Sequence, residues 1–185
     1  MTDDRQVAKG NDNTQIVGNG NISNSTVFQC GHKHPLTHSL IYDLLGIVYS
    51  LPAPDDDSYP QRQLPAMIPE KLRFNNADKY IEIVENHSDD YMRVSEIIKE
   101  YPNSEDIVKK LRDMFLNVAD FDAEGNPCVG NGDAQLDQIK AGLVKTIVGD
   151  SKFDADSYPI EIIDEFSIAL IAYGVSTCKV LRNPV

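Results

Sequence analysis

The sequence predicts a mainly α protein: roughly a five-helix bundle preceded by a short β-forming Gly/Asn-rich motif at the N-terminus. Three observations predict it. From Leu36 onward, apolar residues recur at three- and four-residue steps, the period of helices with one buried face. Before Leu36 that period is absent, and Gly-Asn-x-Asn occurs twice, as Gly10-Asn11-Asp12-Asn13 and Gly18-Asn19-Gly20-Asn21. The charge divides at the same place. Arg5, Lys9 and Lys33 balance Asp3, Asp4 and Asp12, so the net charge of −12 belongs to residues 35–185. The chain is therefore read as an interaction motif with its linker, 1–34, and an acidic all-α domain, 35–185.

In the motif, Gly permits left-handed backbone and Asn tolerates it, so each Gly-Asn-x-Asn reads as a turn. The runs between them hold Thr, Ile and Val and read as very short strands. Such a segment has too few apolar residues to bury a core. It gains order by stacking on a copy of itself, where Asn and Gln amides ladder along the stack. The candidate self-assembly residues are Gly10, Asn11, Asn13, Gln15, Ile16, Val17, Gly18, Asn19, Asn21 and Ile22. The plain alternative is a disordered polar tail.

Helix one opens in the turn begun by Pro35 and buries Leu36, Leu40, Ile41, Leu44, Leu45, Val48 and Leu51. Residues 52–69 read as a loop, because Pro52, Pro54, Pro60, Pro65 and Pro69 break both helices and interior strands. Its Asp55-Asp56-Asp57 run could take a cation, but such runs are usually solvated. Helix two is capped by Asn75 or Asn76 and carries a seam of Ala77, Tyr80, Val84, His87, Tyr91, Val94, Ile98 and Tyr101. It is one long helix, or two broken at Asn86-His87-Ser88-Asp89. His87 reads as a core histidine rather than a ligand. Pro102 ends it.

Helix three, capped by Asn103 or Ser104, repeats the spacing with Ile107, Leu111, Met114 and Val118 and forms a hairpin with helix two. Lys109, Lys110 and Arg112 fall on its other side. Asp120, Asp122, Glu124 and Gly125 open like a calcium loop, but Asn131 stands where the bidentate Glu belongs, and Gly130-Asn131-Gly132 reads as a turn. Helix four, about 133–148, buries Leu136, Ile139, Leu143 and Ile147 and stops at Gly149. Helix five runs from 157–159 to about Leu181, with Asp154 and Asp156 charging its start. It is apolar on most sides from Phe166 to Tyr173, which makes it the central helix; a strand over Ile168 to Val175 is the rival.

The cluster Cys30, His32, His34 and His38 is the one set with ligand chemistry at close spacing. It matches no zinc pattern and reads as a hydrophilic linker; a metal-dependent hydrolase built on it is the enzyme alternative. No Walker loop, dinucleotide fingerprint or Gly-x-Ser-x-Gly is present. We expect no catalytic residue and no cofactor. Three scattered cysteines make no disulfide framework, the acidic start is no signal peptide, and no apolar run is long enough to span a membrane. The expectation is a cytoplasmic protein whose acidic body repels nucleic acid and anionic membrane.

Two stretches resemble known families. Gln15-Ile16-Val17-Gly18-Asn19-Gly20-Asn21-Ile22 resembles the amyloid-forming homotypic motifs of immune signalling, including the RIP homotypic interaction motif and its bacterial and fungal counterparts. It shares their Gln, β-branched residues, Gly and following Asn, and departs from the animal pattern in placing two apolar residues between Gln15 and Gly18. The phrase Ile68-Pro69-Glu70-Lys71-Leu72-Arg73-Phe74-Asn75-Asn76, with Tyr80, Tyr101 and Lys109-Lys110-Leu111, resembles the helical C-terminal domains of bacterial ABC-three-component conflict systems. That resemblance covers about residues 36–148. It implies an adaptor working beside an ATPase in antiphage defence; with the motif, the expectation is a non-enzymatic signalling or adaptor protein that forms homo-oligomers through that motif. A permanent homo-oligomer with an N-terminal β-layer is the structural alternative.

Overall fold

A computed structural model describes residues 36–51, 67–154, 158–177 and 179–184. All belong to one compact unit, His34–Val185. The expected β-forming motif, the Asp55-Asp56-Asp57 run and the cluster members Cys30, His32 and His34 lie outside the described residues.

The chain is mainly helical. Among the described residues there are seven helices and a two-stranded hairpin, not the five helices expected. In order they are α1 (His38–Tyr49), α2 (Ile68–Phe74), α3 (Asp78–Asn86), α4 (Ser88–Glu100), α5 (Ser104–Val118), β1 (Asp120–Phe121), β2 (Pro127–Cys128), α6 (Gly132–Gly149) and α7 (Ile160–Ser176).

Helix α1 starts at His38, three residues beyond Pro35, because Thr37 caps it: the Thr37 hydroxyl accepts from Leu40 N at 3.3 Å. Its buried face is Ile41, Leu44, Leu45, Ile47 and Val48. Helix α2 lies in what reads as the end of the proline loop. Pro69 falls in the first turn, where a missing N–H costs nothing. The Asn75-Asn76 pair, expected to cap helix two, instead closes α2. Asn76 adopts φ +53°, Ala77 N donates to Leu72 O at 3.0 Å and Asn76 N to Arg73 O at 3.1 Å. That bond pair is the Schellman closure, in which Asn is accepted at the left-handed position.

The expected helix two is two helices, α3 and α4, divided at His87. The α3 N-terminus, which lacks a cap of its own, borrows one from α6. Asp133 accepts from Lys79 N and Tyr80 N, both at 3.3 Å. Between α5 and α6 the calcium-like stretch forms the hairpin, with Asp120 opposite Cys128 and Phe121 opposite Pro127. Asn131 is not part of a plain turn; its side chain caps α6, accepting from Ala134 N at 3.0 Å. Gly132 is already helical and must be glycine, since a Cβ there would stand 2.3 Å from Asn75 O.

Helix α7 is the centre. It packs against α2, α3, α4, α5 and α6, and every residue from Phe166 to Ala172 is buried. The strand alternative for Ile168–Val175 is overturned: these residues are helical. The helix stops at Ser176, five residues before the expected end, because the chain folds back. Lys179 N and Val180 N both donate to Gly174 O, at 3.0 and 3.1 Å. Val180 and Leu181 then enter the core. Leu181 takes φ +64°, a conformation that costs a leucine about 1–2 kcal/mol, so its burial must outweigh that.

Candidate functional site

The outer face of α1 is built by a single periodicity. His38, Tyr42, Gly46 and Tyr49 fall four, four and three residues apart, on one side of the helix. The core residues Ile41, Leu44, Leu45 and Val48 take the other side, so the tyrosines are turned out: Tyr42 is 40% exposed and Tyr49 39%. The Gly46 position lacks a side chain, and Tyr101, at the end of α4, reaches in above it. A Cβ at Gly46 would meet the Tyr101 hydroxyl at 3.7 Å.

The rings contact one another. Tyr42 and Tyr101 lie with centroids 4.7 Å apart, tilted by 57°, and His38 stacks on Tyr42 at 6.0 Å. These spacings are those of favourable aromatic pairs. Burial pushes the Tyr101 phenol above the ordinary tyrosine range, and the neighbouring Tyr42 and Tyr49 add to it.

Beneath Tyr49 sits Lys110. The sequence places it on the solvent side of α5; the structure buries it, 4% exposed. Its Nζ lies 4.9 Å from the Tyr49 ring centroid and donates to Tyr49 O in the last turn of α1. Helix α1 has no basic residue in its own last turn, so α5 supplies the cation that its C-terminal dipole favours. Burial lowers the Lys110 pKa, and Asp106 partly restores it. Asp43 stands beside Tyr42 in sequence and accepts from the Tyr158 hydroxyl at 3.3 Å.

The phrase that carries the family resemblance does different work. Lys71 is wholly buried and donates to Val175 O at 3.1 Å, near the end of α7. Asn75, 2% exposed, donates from Nδ2 to Lys71 O and to Arg182 O, each at 2.7 Å, and accepts from Arg182 N at 3.0 Å. Arg112 joins from α5, donating to Lys179 O at 3.2 Å. Asn75 and Arg112 pin the chain that follows α7, and Lys71 holds the end of α7 itself. Both Lys71 and Asn75 look like surface residues in the sequence. The missed signal is the spacing of Lys71 and Asn75, four residues apart at the end of a short helix that Pro69 hides.

The remaining sequence candidates are accounted for singly. His38 heads α1, exposed, with its ring on Tyr42. His87 is half-buried rather than a core residue, with Nδ1 3.1 Å from Asp90 Oδ2. In the calcium-like loop, Asp122 is occupied by the loop itself, accepting from Asn126 N at 2.7 Å and Glu124 N at 3.1 Å. These bonds hold its carboxyl below the usual range. Asp154 is exposed ahead of α7, and its carbonyl accepts from Tyr158 N at 2.9 Å. Asp156 is outside the described residues. Among the described residues, no three His, Cys, Asp or Glu side chains converge to hold a metal ion, and no helix is long and apolar enough to cross a membrane. The self-assembly residues, Gly10 to Ile22, are not among those described.

No protein family, curated protein or solved structure matches the chain.

Proposed function

We propose that the chain is a non-enzymatic, cytoplasmic adaptor of a bacterial defence system. Its helical domain docks a protein partner, an ATPase of the same system by the family resemblance, and its N-terminal Gly/Asn-rich motif assembles copies. The exposed tyrosine face of α1 carries this reading. Tyrosine presents a large, stiff ring with a polar tip, and such rings dominate protein recognition surfaces. The face lies on the first described helix after the motif in sequence. The buried polar residues support it too: Lys71, Asn75 and Lys110 are committed to backbone carbonyls and hold helices in place.

Assembly follows from the charges. Residues 10–28 carry one ionisable side chain, Asp12, so copies stack with little repulsion. Residues 35–185 carry −12, so crowded bodies repel, and salt screens them. Full-length protein should therefore form ordered, thioflavin-binding assemblies above a threshold concentration that added salt lowers. Ile16→Pro removes a backbone donor inside a short strand and should abolish them. Lys152→Ala, at an exposed position between α6 and α7, should leave them intact. Assembly of Ile16→Pro at the parent's threshold would sink the reading. Small oligomers that survive dilution without binding dye would instead favour a permanent β-layer.

A further inference from the structure

We propose that residues 179–182 form an exchangeable strap, and that the site holding them also takes the same segment from a second copy of the chain. The inference rests on the adaptor reading, in which the N-terminal motif gathers copies, and names a contact through which gathered copies lock. The site reads the backbone of a short segment. Asn75 donates to Arg182 O and accepts from Arg182 N, and Arg112 donates to Lys179 O. Between these anchors, Val180 and Leu181 are buried. Gly174 makes room for Val180: a Cβ there would stand 2.7 Å from Val180 Cγ2 and 3.3 Å from Leu111 Cδ1. Main-chain bonds with pockets for apolar side chains are how a groove recognises a peptide. None of these contacts depends on which copy supplies the segment.

The connection to α7 is the part that changes. The sequence reads as helix to about Leu181, yet the chain turns back after Ser176. The turn is closed by Lys179 N and Val180 N on Gly174 O, and Leu181 takes φ +64°. A left-handed leucine is strained, and such strain collects at segments that switch. Continuing the helix past Ser176 replaces the bonds on Gly174 O by the helix's own ladder and carries Val180 to Arg182 away from their site. The identical segment of a neighbour then refills the site with each contact remade. Charge favours its arrival: the ionisable side chains of the strap, Lys179 and Arg182, are both basic, and the body it enters is acidic.

The test mixes two full-length variants, each defective in one half of the contact, below the concentration at which thioflavin binds. Arg182→Pro keeps the site but spoils the strap, since proline has no N–H for Asn75 and disfavours the left-handed leucine before it. Asn75→Asp keeps the strap but spoils the site. Each alone should sediment as a monomer. The mixture should form a heterodimer, with hydrogen exchange at Val180 slowed in the Asn75→Asp chain only. A synthetic peptide of residues 179–185 gives the second measurement. It should raise the melting temperature of Arg182→Pro by about 4 °C at ten times its Kd, and leave Asn75→Asp unmoved. If circular dichroism finds Arg182→Pro unfolded, Val180→Ala takes its place, since it weakens the strap and keeps the backbone bonds. A mixture that stays monomeric, a peptide without effect on the weakened-strap chain, or equal peptide shifts in both variants would each overturn the proposal. The adaptor reading fails on the thioflavin result of Ile16→Pro, and strap exchange fails on the mixture and the peptide, so the two failures are distinct.

Discussion

Asn75 holds both backbone groups of Arg182. Its Nδ2 donates to Arg182 O at 2.7 Å, and its Oδ1 accepts from Arg182 N at 3.0 Å, across 107 positions of sequence. A side-chain amide here does what a neighbouring strand does in a sheet. Asn75→Asp replaces the donor by an oxygen facing Lys71 O and Arg182 O. We expect a loss of about 2–4 kcal/mol by urea denaturation. Hydrogen exchange at Val180 and Arg182 should accelerate more than at the α7 core, and equal protection in both proteins would rule the clamp out.

Lys71→Met isolates the ammonium. The methionine keeps the apolar stem and removes the donor to Val175 O. A buried carbonyl without its partner costs about 1–3 kcal/mol, so the urea midpoint should fall by the corresponding amount with the slope unchanged. A neutral or stabilising result would mean that the lysine's desolvation outweighs its bonds.

Two glycines of α6 should respond with opposite signs. At Gly132 a Cβ would stand 2.3 Å from Asn75 O and 2.9 Å from Ala77 Cβ, so Gly132→Ala must force α6 away from the α2–α3 link. The expected loss is about 2 kcal/mol or more. At Gly142 a Cβ meets nothing within 4 Å, so Gly142→Ala gains helix propensity, about 0.5–1 kcal/mol. Thermal melts of the two variants, run side by side, test both signs.

Alkaline stability should be governed by tyrosines. The Tyr80 hydroxyl donates to Asp137 Oδ1 at 3.0 Å, and burial with that carboxylate pushes the phenol far above its ordinary range. Tyr101, Tyr158 and Tyr173 are raised as well, each chiefly by burial. Folded values above the unfolded 10.0 mean that these groups support the fold fully below pH 10. Above it the unfolded chain loses phenolic protons that the folded chain keeps, so stability falls as pH rises. Urea unfolding across that range should show the decline, and Tyr80→Phe should flatten part of it. An unaltered slope in Tyr80→Phe would exclude Tyr80 as a source.

The core was legible where burial is periodic. Leu136, Ile139, Leu143 and Ile147, chosen from spacing alone, are all buried in α6, and Ile107 and Leu111 are buried in α5. The central position of α7 followed from its apolar middle. What spacing misses is a polar residue whose partner is remote. Lys71, Asn75 and Lys110 satisfy carbonyls 61 to 107 positions away, and no local pattern encodes such a bond. Asn75-Asn76 was misplaced because Asn suits both ends of a helix, as a cap at the start and a left-handed closure at the end. Helix α2 was hidden by Pro69, which its first turn tolerates.

The candidate site was legible only in part. The α1 period places Tyr42 and Tyr49 opposite the core, but nothing local brings Tyr101 to them, since the helix-two seam assigns it inward. The ring contact needs the fold.

Among the described helices, the central one is also the last in sequence. While α1 to α6 emerge, the faces of α2 to α6 that pack on α7 have no centre to close upon. Folding must therefore wait until α7 and the segment clamped by Asn75 have cleared the ribosome. During that interval the nascent chain exposes its future interior, the kind of apolar surface through which incompletely folded chains aggregate.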